Sequence, residues 1–261
     1  RTRLVAVGLV SNAIGTINPV PHIANIAHKA GASLFVDAVA AVPHLSIDVD
    51  ALGADYLVFS PYKVYGPHLG VLWGRRELLE ALPPFHVRPA GDAIPGRFET
   101  GTKAFELLAG FGGTIRYLEK VGVTQGGAPG RPGQGDRFRR PRLLAALSAI
   151  RRYETDLGSR LLERVDAVAG VTVHGISDPA RAHERCPTVA FTLEGHEPAA
   201  VARFLGERGI CVRNGDHYAW ELHRALGLAQ SGGTVRVSLG HYNSPAEVER
   251  LGLALDELGA G

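Results

Sequence analysis

LVFSPYKVYGPHLGVLWG, residues 57–74, sets a lysine between two short apolar runs. Leu57-Val58-Phe59 reads as a strand and Ser60-Pro61-Tyr62-Lys63 as a tight turn. A second turn follows at Gly66-Pro67, then another apolar run from Leu69 to Trp73. An ammonium in such surroundings is costly to bury unless it is paired or neutralised. One chemical solution is to consume the charge as an imine. A lysine held on a tight turn, with a hydroxyl before it, suits a Schiff base with an aldehyde cofactor. The other reading is a strand-end lysine whose stem packs while its head reaches water. Asp37 bears on the choice, because it closes the next apolar run upstream, Ala32 to Val36.

Outward from this stretch the first half alternates regularly. Leu4–Val10 reads as a strand, Asn18-Pro19-Val20-Pro21 as a turn, and His22–Ala30 as a helix stopped by Gly31. The strand Ala32–Val36, a short helical connector Val49–Ala54 and the strand Tyr56–Phe59 follow. Continuous apolar strands in a β-α-β rhythm predict an α/β fold with a largely parallel sheet covered on both faces. In such sheets ligands sit at the carboxyl ends of the strands. Asn12, Asp37 and Ser60–Lys63 all fall just after strands.

Arg88–Gly101 is loop-like, and Phe105–Gly122 reads as a helix. Gly126–Gly135, GGAPGRPGQG, is low in complexity and is expected to be a loop or linker. Arg142–Val165 has the apolar spacing of a long amphipathic helix. Strands at Val171–Val173, Thr188–Leu193, Ile210–Arg213 and Val235–Leu239 alternate with helices at Ala199–Arg208 and Pro245–Leu258. The expected organisation is a large domain over 1–125, a flexible loop over 126–140 and a smaller α+β domain over 141–261.

The 261 residues are 45% hydrophobic and 21% charged with a net charge of +2, so neither nucleic acid nor a membrane is the expected partner. The densest basic run, Arg137–Arg142, reads as the solvated start of a helix. Two cysteines, Cys186 and Cys211, are too few for a disulfide framework or a Cys-rich metal site. No zinc pattern occurs among the histidines, so no metal is expected and a reducing cytoplasm is the default compartment. The sequence contains no methionine and is read as part of a longer protein.

If a pyridine ring lies at the strand ends, a carboxylate from Asp37 at its ring nitrogen keeps that nitrogen protonated and strengthens the ring as an electron sink. Lys63 would hold the aldehyde and then shuttle a proton. Ser60 can donate to a phosphate. Arg236 lies inside an apolar strand, where it has either an internal carboxylate partner or a substrate carboxylate to grip.

These residues carry a resemblance. LVSNAIGTINPV (9–20), LFVDAVAAVPH (34–44), DYLVFSPYKVYGPHLGVLWG (55–74), RFETGTKAFE (97–106), GICVRNGDHYA (209–219) and GTVRVSLGHYN (233–243) occur in order. In this the chain resembles the C-terminal part of a class V aminotransferase, within the cysteine desulfurase-like group of pyridoxal-phosphate enzymes of fold type I. The resemblance implies that Lys63 is the Schiff-base lysine, that Asp37 meets the pyridine nitrogen, and that Ser60 and Tyr62 reach the phosphate. It implies that Asn12 lies beside the cofactor ring and that Arg236 holds the carboxylate of a small amino-acid substrate. It also implies a homodimer with a shared site, in which Thr102 reaches the neighbouring subunit's phosphate. The family's N-terminal segment, with its glycine-containing phosphate loop and its ring-stacking side chain, is expected to be missing.

The departures point away from desulfuration. Tyr218 stands where sulfur-removing members carry a cysteine. Cys211, seven residues upstream, is expected to be packed on its strand. Ala40 replaces a side chain that reaches the ring oxygen in many relatives, and Tyr62 stands where others have histidine. Transamination, elimination or epimerisation is therefore the expected chemistry. A catalytically inactive remnant or interaction module, or a desulfurase using another thiol, is the alternative.

Overall fold

A computed structural model describes residues 1–130 and 139–259. The chain forms two compact units, one of residues 1–9 and 19–147, the other of 10–18 and 148–261. Part of the expected loop over 126–140, and part of the basic run 137–142, lie outside the described residues.

The first unit holds a four-stranded sheet in the order β1 (Leu4–Gly8), β2 (Ser33–Asp37), β3 (Tyr56–Phe59), β4 (Val71–Gly74). The first three strands are parallel and β4 runs antiparallel to β3. The antiparallel step has a simple cause. The stretch between β3 and β4 contains only a 3-10 turn, Pro61–Val64, and the Gly66-Pro67 turn, too little chain for a parallel crossover. Helix α1 (Val20–Lys29) starts with prolines at its first turn and buries Val20, Ala24 and Ala27. Short α2 (Val49–Leu52) is capped by Asp48, whose side chain accepts from the Asp50 and Ala51 amides.

The register puts Leu34, Val36 and Leu57 on one face, where they are 3% exposed or less. Leu4, Ala6, Phe35, Tyr56, Val58 and Leu72 share the other face, and Leu4 and Leu72 are each 51% exposed. The expectation of a sheet covered on both faces is thus met on one face only among the described residues. Asp55 ties this unit together. It is 8% exposed, takes the Leu34 amide at 2.8 Å and the His28 ring at 2.9 Å, and faces Arg75 at 3.4 Å.

Helix α3 (Arg76–Ala81) leads into an irregular stretch, and α4 (Phe105–Thr124) and α5 (Arg139–Asp166) follow. Arg142 is fully buried and pairs with buried Glu119 of α4 at 3.3 Å. Arg139 and Arg140 at the start of α5 are exposed, as the basic run predicts, whereas Arg142 turns inward. An arginine can occupy such a place because a carboxylate and the Pro129 carbonyl meet its guanidinium.

The second unit has an antiparallel sheet in the order β5 (Val171–His174), β6 (Thr188–Leu193), β8 (Thr234–Ser238), β7 (Arg213–Gly215). Its core gathers Leu157, Leu161 and Leu162 of α5, Val189 and Phe191, Val201 and Leu205 of α6 (Pro198–Glu207), Val235 and Val237, and Leu251 and Leu255 of α7 (Pro245–Gly259). Against the other face lies the strap 10–18. Its carbonyl at Gly15 accepts from Cys186 N at 2.8 Å, and Ile17 N donates to the Glu184 carbonyl at 2.9 Å. Gly15 sits at φ +76°, and a Cβ there would stand 2.9 Å from the Cys186 carbonyl, so only glycine fits.

The strand predicted over 210–213 forms its ladder over 213–215 instead. Ile210 and Val212 pack on the core from an extended approach to the strand. Their apolar character, which carries the prediction, serves packing rather than pairing.

Candidate active site

In the first unit the candidate residues stand at the carboxyl ends of adjacent parallel strands. Asp37 is the last residue of β2 and is in register with Val58 of β3. Its side chain is exposed and Oδ1 accepts the Val39 amide at 2.8 Å, the local turn that aspartate favours. This N–H is the partner that a carboxylate beside apolar neighbours requires. Lys63 lies on the 3-10 turn directly after β3. Its amide donates to the Ser60 carbonyl at 3.0 Å, and Tyr65 closes the turn at φ +66°. Lys63 is exposed, not buried, and Nζ sits 5.1 Å from the centre of the Tyr62 ring. Tyr62 stacks in turn on His68 at 4.7 Å.

Ser60 precedes this turn, and its side chain makes no capping hydrogen bond. Helix α4 supports the turn from behind. Thr114 Oγ1 donates to the Tyr65 carbonyl at 3.3 Å, and Phe111 meets Phe59 at 6.1 Å between ring centres. Gly66 is required by this approach, since a Cβ would stand 2.8 Å from Thr114 Oγ1. Thr102 is exposed in the loop before α4, where Glu99 pairs with Lys103 at 2.6 Å rather than with an arginine.

Asn12 and Arg236 belong to the second unit. Arg236 projects from β8 on the face opposite Val235 and Val237, and its Nη1 donates to the Asn12 carbonyl at 2.6 Å. The Asn12 side-chain amide donates to the His217 carbonyl at 2.7 Å. His217 and Tyr218 both adopt left-handed backbone, at φ +54° and +60°, and Tyr218 is fully exposed. Such strain persists only where surroundings impose it.

A directed hydrogen-bond chain does so here. His223 Nδ1 lies 3.1 Å from the Ala219 carbonyl, which can only accept, so Nδ1 carries the proton. In neutral His223 the Nε2 then accepts from Thr234 Oγ1, at 3.3 Å, and the hydroxyl oxygen accepts from His217 Nε2 at 3.0 Å. Burial, then Arg236 and His223, push the His217 pKa down to about 4, which keeps this ring neutral. Sequence reading missed the Asn12 strut and the His217–Thr234–His223 chain, because nothing local links residues more than ten positions apart.

Of the two thiols, Cys186 is buried and its pKa is pushed up to about 12, chiefly by that burial. Cys211 is exposed, against the expectation that it packs. It lies between Ile210 and Val212, both turned to the core, so alternation turns it outward.

The family model described as Aminotransferase class-V matches residues 1–128 and 143–251. The chain belongs to the class-V aminotransferase family. Among relatives, a cysteine desulfurase of Synechococcus elongatus is 34% identical over 278 residues, covering 100% of this chain and 38% of that protein. One from Klebsiella pneumoniae is 35% identical, covering 99% of this chain and 59% of that protein. The apo structure of a cysteine desulfurase from Thermococcus onnurineus superposes with a TM-score of 0.82 at 32% identity, covering 99% of this chain and 60% of that one. The cysteine desulfurase CsdA from Escherichia coli follows at TM-score 0.77 and 26% identity, covering 98% and 59%. The chain thus spans well under two thirds of the length of these relatives.

The fold is the α/β architecture of fold type I, and the cofactor of this class of enzymes is pyridoxal 5'-phosphate. The residues of the first unit fit that group. A carboxylate and an amine stand at the carboxyl ends of β2 and β3, neither in an ion pair among the described residues. Among the described residues no group of three or more His, Cys, Asp or Glu is placed to hold a metal ion, and no helix is long and apolar enough to cross a membrane.

Proposed function

We propose that the protein is a pyridoxal-phosphate enzyme that cleaves a carbon–sulfur bond of a small α-amino acid. The observation that carries this reading is the Asp37–Lys63 arrangement at the strand ends, free of ion pairs among the described residues, in a chain whose relatives reported above are named cysteine desulfurases. Bound cofactor supplies the electron sink for the substrate's α-carbon. With it bound, Asp37 would hold the proton on the ring nitrogen, Ser60 and Tyr62 would donate to the phosphate, Lys63 would hold the aldehyde group and move the α-proton, and Arg236 would grip the substrate carboxylate. Asn12 acts through its bond to His217, setting the loop beside Arg236. The exposure of Cys211 supports desulfuration over transamination or epimerisation, since an accessible thiol is available to accept sulfur.

A second reading rests on Tyr218. With a phenol in place of a thiol on that loop, sulfur leaves to a small external thiol instead of a protein cysteine. In either case the working unit is a homodimer, which the exposed apolar side chains Phe85, Val87, Phe105 and Leu108 support.

The test is an absorbance spectrum of the protein with added pyridoxal phosphate, beside Lys63→Ala. A visible band that borohydride fixes on Lys63, absent from the variant, is the expected result. Equal spectra for both proteins overturn the assignment of Lys63. Persulfide formed with cysteine and lost in Cys211→Ser assigns the sulfur acceptor; sulfide release unchanged in that variant favours the second reading.

A further inference from the structure

Tyr62 and His68 lie on either side of the Gly66-Pro67 turn, and their rings stack. The ring centres are 4.7 Å apart and the planes are inclined by 11°, the near-parallel geometry of an aromatic pair. Both residues are exposed, and neither side chain makes a hydrogen bond among the described residues. An exposed tyrosine without such a neighbour exchanges among rotamers. The stack is therefore what holds the Tyr62 ring.

The frame beneath the pair is fixed. The Lys63 amide donates to the Ser60 carbonyl at 3.0 Å and the Gly66 amide to the Pro61 carbonyl at 2.9 Å. Pro61 and Val64, which flank Tyr62 and Lys63, are buried. Tyr65 at φ +66° turns the chain back, and Pro67 fixes its own φ directly before His68. The backbone thus delivers His68 to Tyr62. Lys63 Nζ stands 5.1 Å from the centre of the same ring, within cation–π reach. So the ring that His68 holds is the neighbour of the amine that meets the aldehyde. A hydroxyl on a ring already held loses less freedom when it donates to an anion.

We propose that His68 is a positioning residue: by stacking on Tyr62 it keeps the phenol hydroxyl ready to donate to the cofactor's phosphate, without touching the phosphate itself. This rests on the reading of Tyr62 given above. The role asks only for a flat ring at position 68, so phenylalanine can fill it and alanine cannot.

Two probes isolate the phosphate. Pyridoxine 5'-phosphate and pyridoxine differ only in that group, and neither has an aldehyde for Lys63 to join. Their dissociation constants are measured by ligand-observed NMR at fixed pH and ionic strength, and their ratio gives the phosphate's share of binding. The full chain is compared with Tyr62→Phe, His68→Ala, His68→Phe and the double variant Tyr62→Phe/His68→Ala. Tyr62→Phe is expected to lower the ratio about tenfold, the size of one hydrogen bond to a charged group. His68→Ala lowers it about threefold, the size of one side chain set loose. His68→Phe stays within about twofold of the parent, and the double variant matches Tyr62→Phe, because the two residues act as one. In the free protein the His68 ring-proton resonances move in Tyr62→Leu; unmoved resonances overturn the stack. A ratio unchanged by Tyr62→Phe overturns the reading of Tyr62, and this inference with it. A ratio that falls in Tyr62→Phe but keeps the parent's value in His68→Ala overturns the inference alone. Equal losses in His68→Phe and His68→Ala, or a further loss in the double variant, make His68 a phosphate ligand and overturn the positioning role.

Discussion

At the scale of single residues, the two thiols differ in a way that a labelling experiment reads directly. Native protein is expected to take one equivalent of iodoacetamide, at Cys211, with Cys186 reacting only on unfolding; intact-mass and peptide analysis decide it. Cys186 also sets a limit at high pH. Its folded pKa of about 12 lies above the unfolded value, so its contribution is complete below pH ~9 and is lost as pH climbs toward 12. His217 acts at the other end. Its folded pKa of about 4 lies below the ordinary histidine value of 6.5, so the unfolded chain binds the extra proton first. The stability contributed is present above pH 6.5 and declines as pH falls toward 4. Urea midpoints across this range should fall in the parent protein and fall less steeply in His217→Gln. An equal slope would show that His217 does not stay neutral in the folded state.

At the scale of elements, sequence patterning located most of the strands and the long helices beside them, because apolar periodicity is what both packing and pairing demand. It failed where one residue type serves two ends. Ile210 and Val212 read as a paired strand, yet they pack without pairing. The exposure of Cys211 between them was legible from alternation alone. The polarity of Arg142 read as solvent-facing because Glu119, 23 residues away, is invisible to a local window. That pair joins α4 to α5. Replacing Glu119 by Ala strands a buried guanidinium and should cost about 3–5 kcal/mol, whereas Glu80→Ala, in the exposed pair with Arg76, should cost no more than about 0.5 kcal/mol. Chemical denaturation of the two variants checks the contrast. The β7–β8 strand pair offers another. Gly233, at φ +82°, would drive a Cβ into the Gly215 carbonyl, whereas Gly195, at φ +76°, has nothing within 4 Å. Gly233→Ala should therefore cost at least about 2 kcal/mol and Gly195→Ala about 1 kcal/mol.

At the scale of the whole molecule, six ordered segments sufficed to place the family, while the roles within the site required three dimensions. Asp37 and Lys63 were legible because strand ends are where such folds keep their chemistry. The hold of Arg236 on the Asn12 carbonyl was not, since 224 residues separate the two.

The strap 10–18 has one more consequence. The ribosome makes it long before its partners: Arg185 reaches the Ile14 carbonyl across 171 residues of chain. During synthesis the strap must wait, with its backbone hydrogen bonds supplied by water, until the second sheet emerges. Closure of so long a loop carries an entropic cost that local helices avoid. Folding of the second unit should thus be the slow phase after dilution from denaturant. A chain cut to begin at Ser148 should lack that phase and fail to protect the amide of Cys186, which the Gly15 carbonyl accepts, from hydrogen exchange.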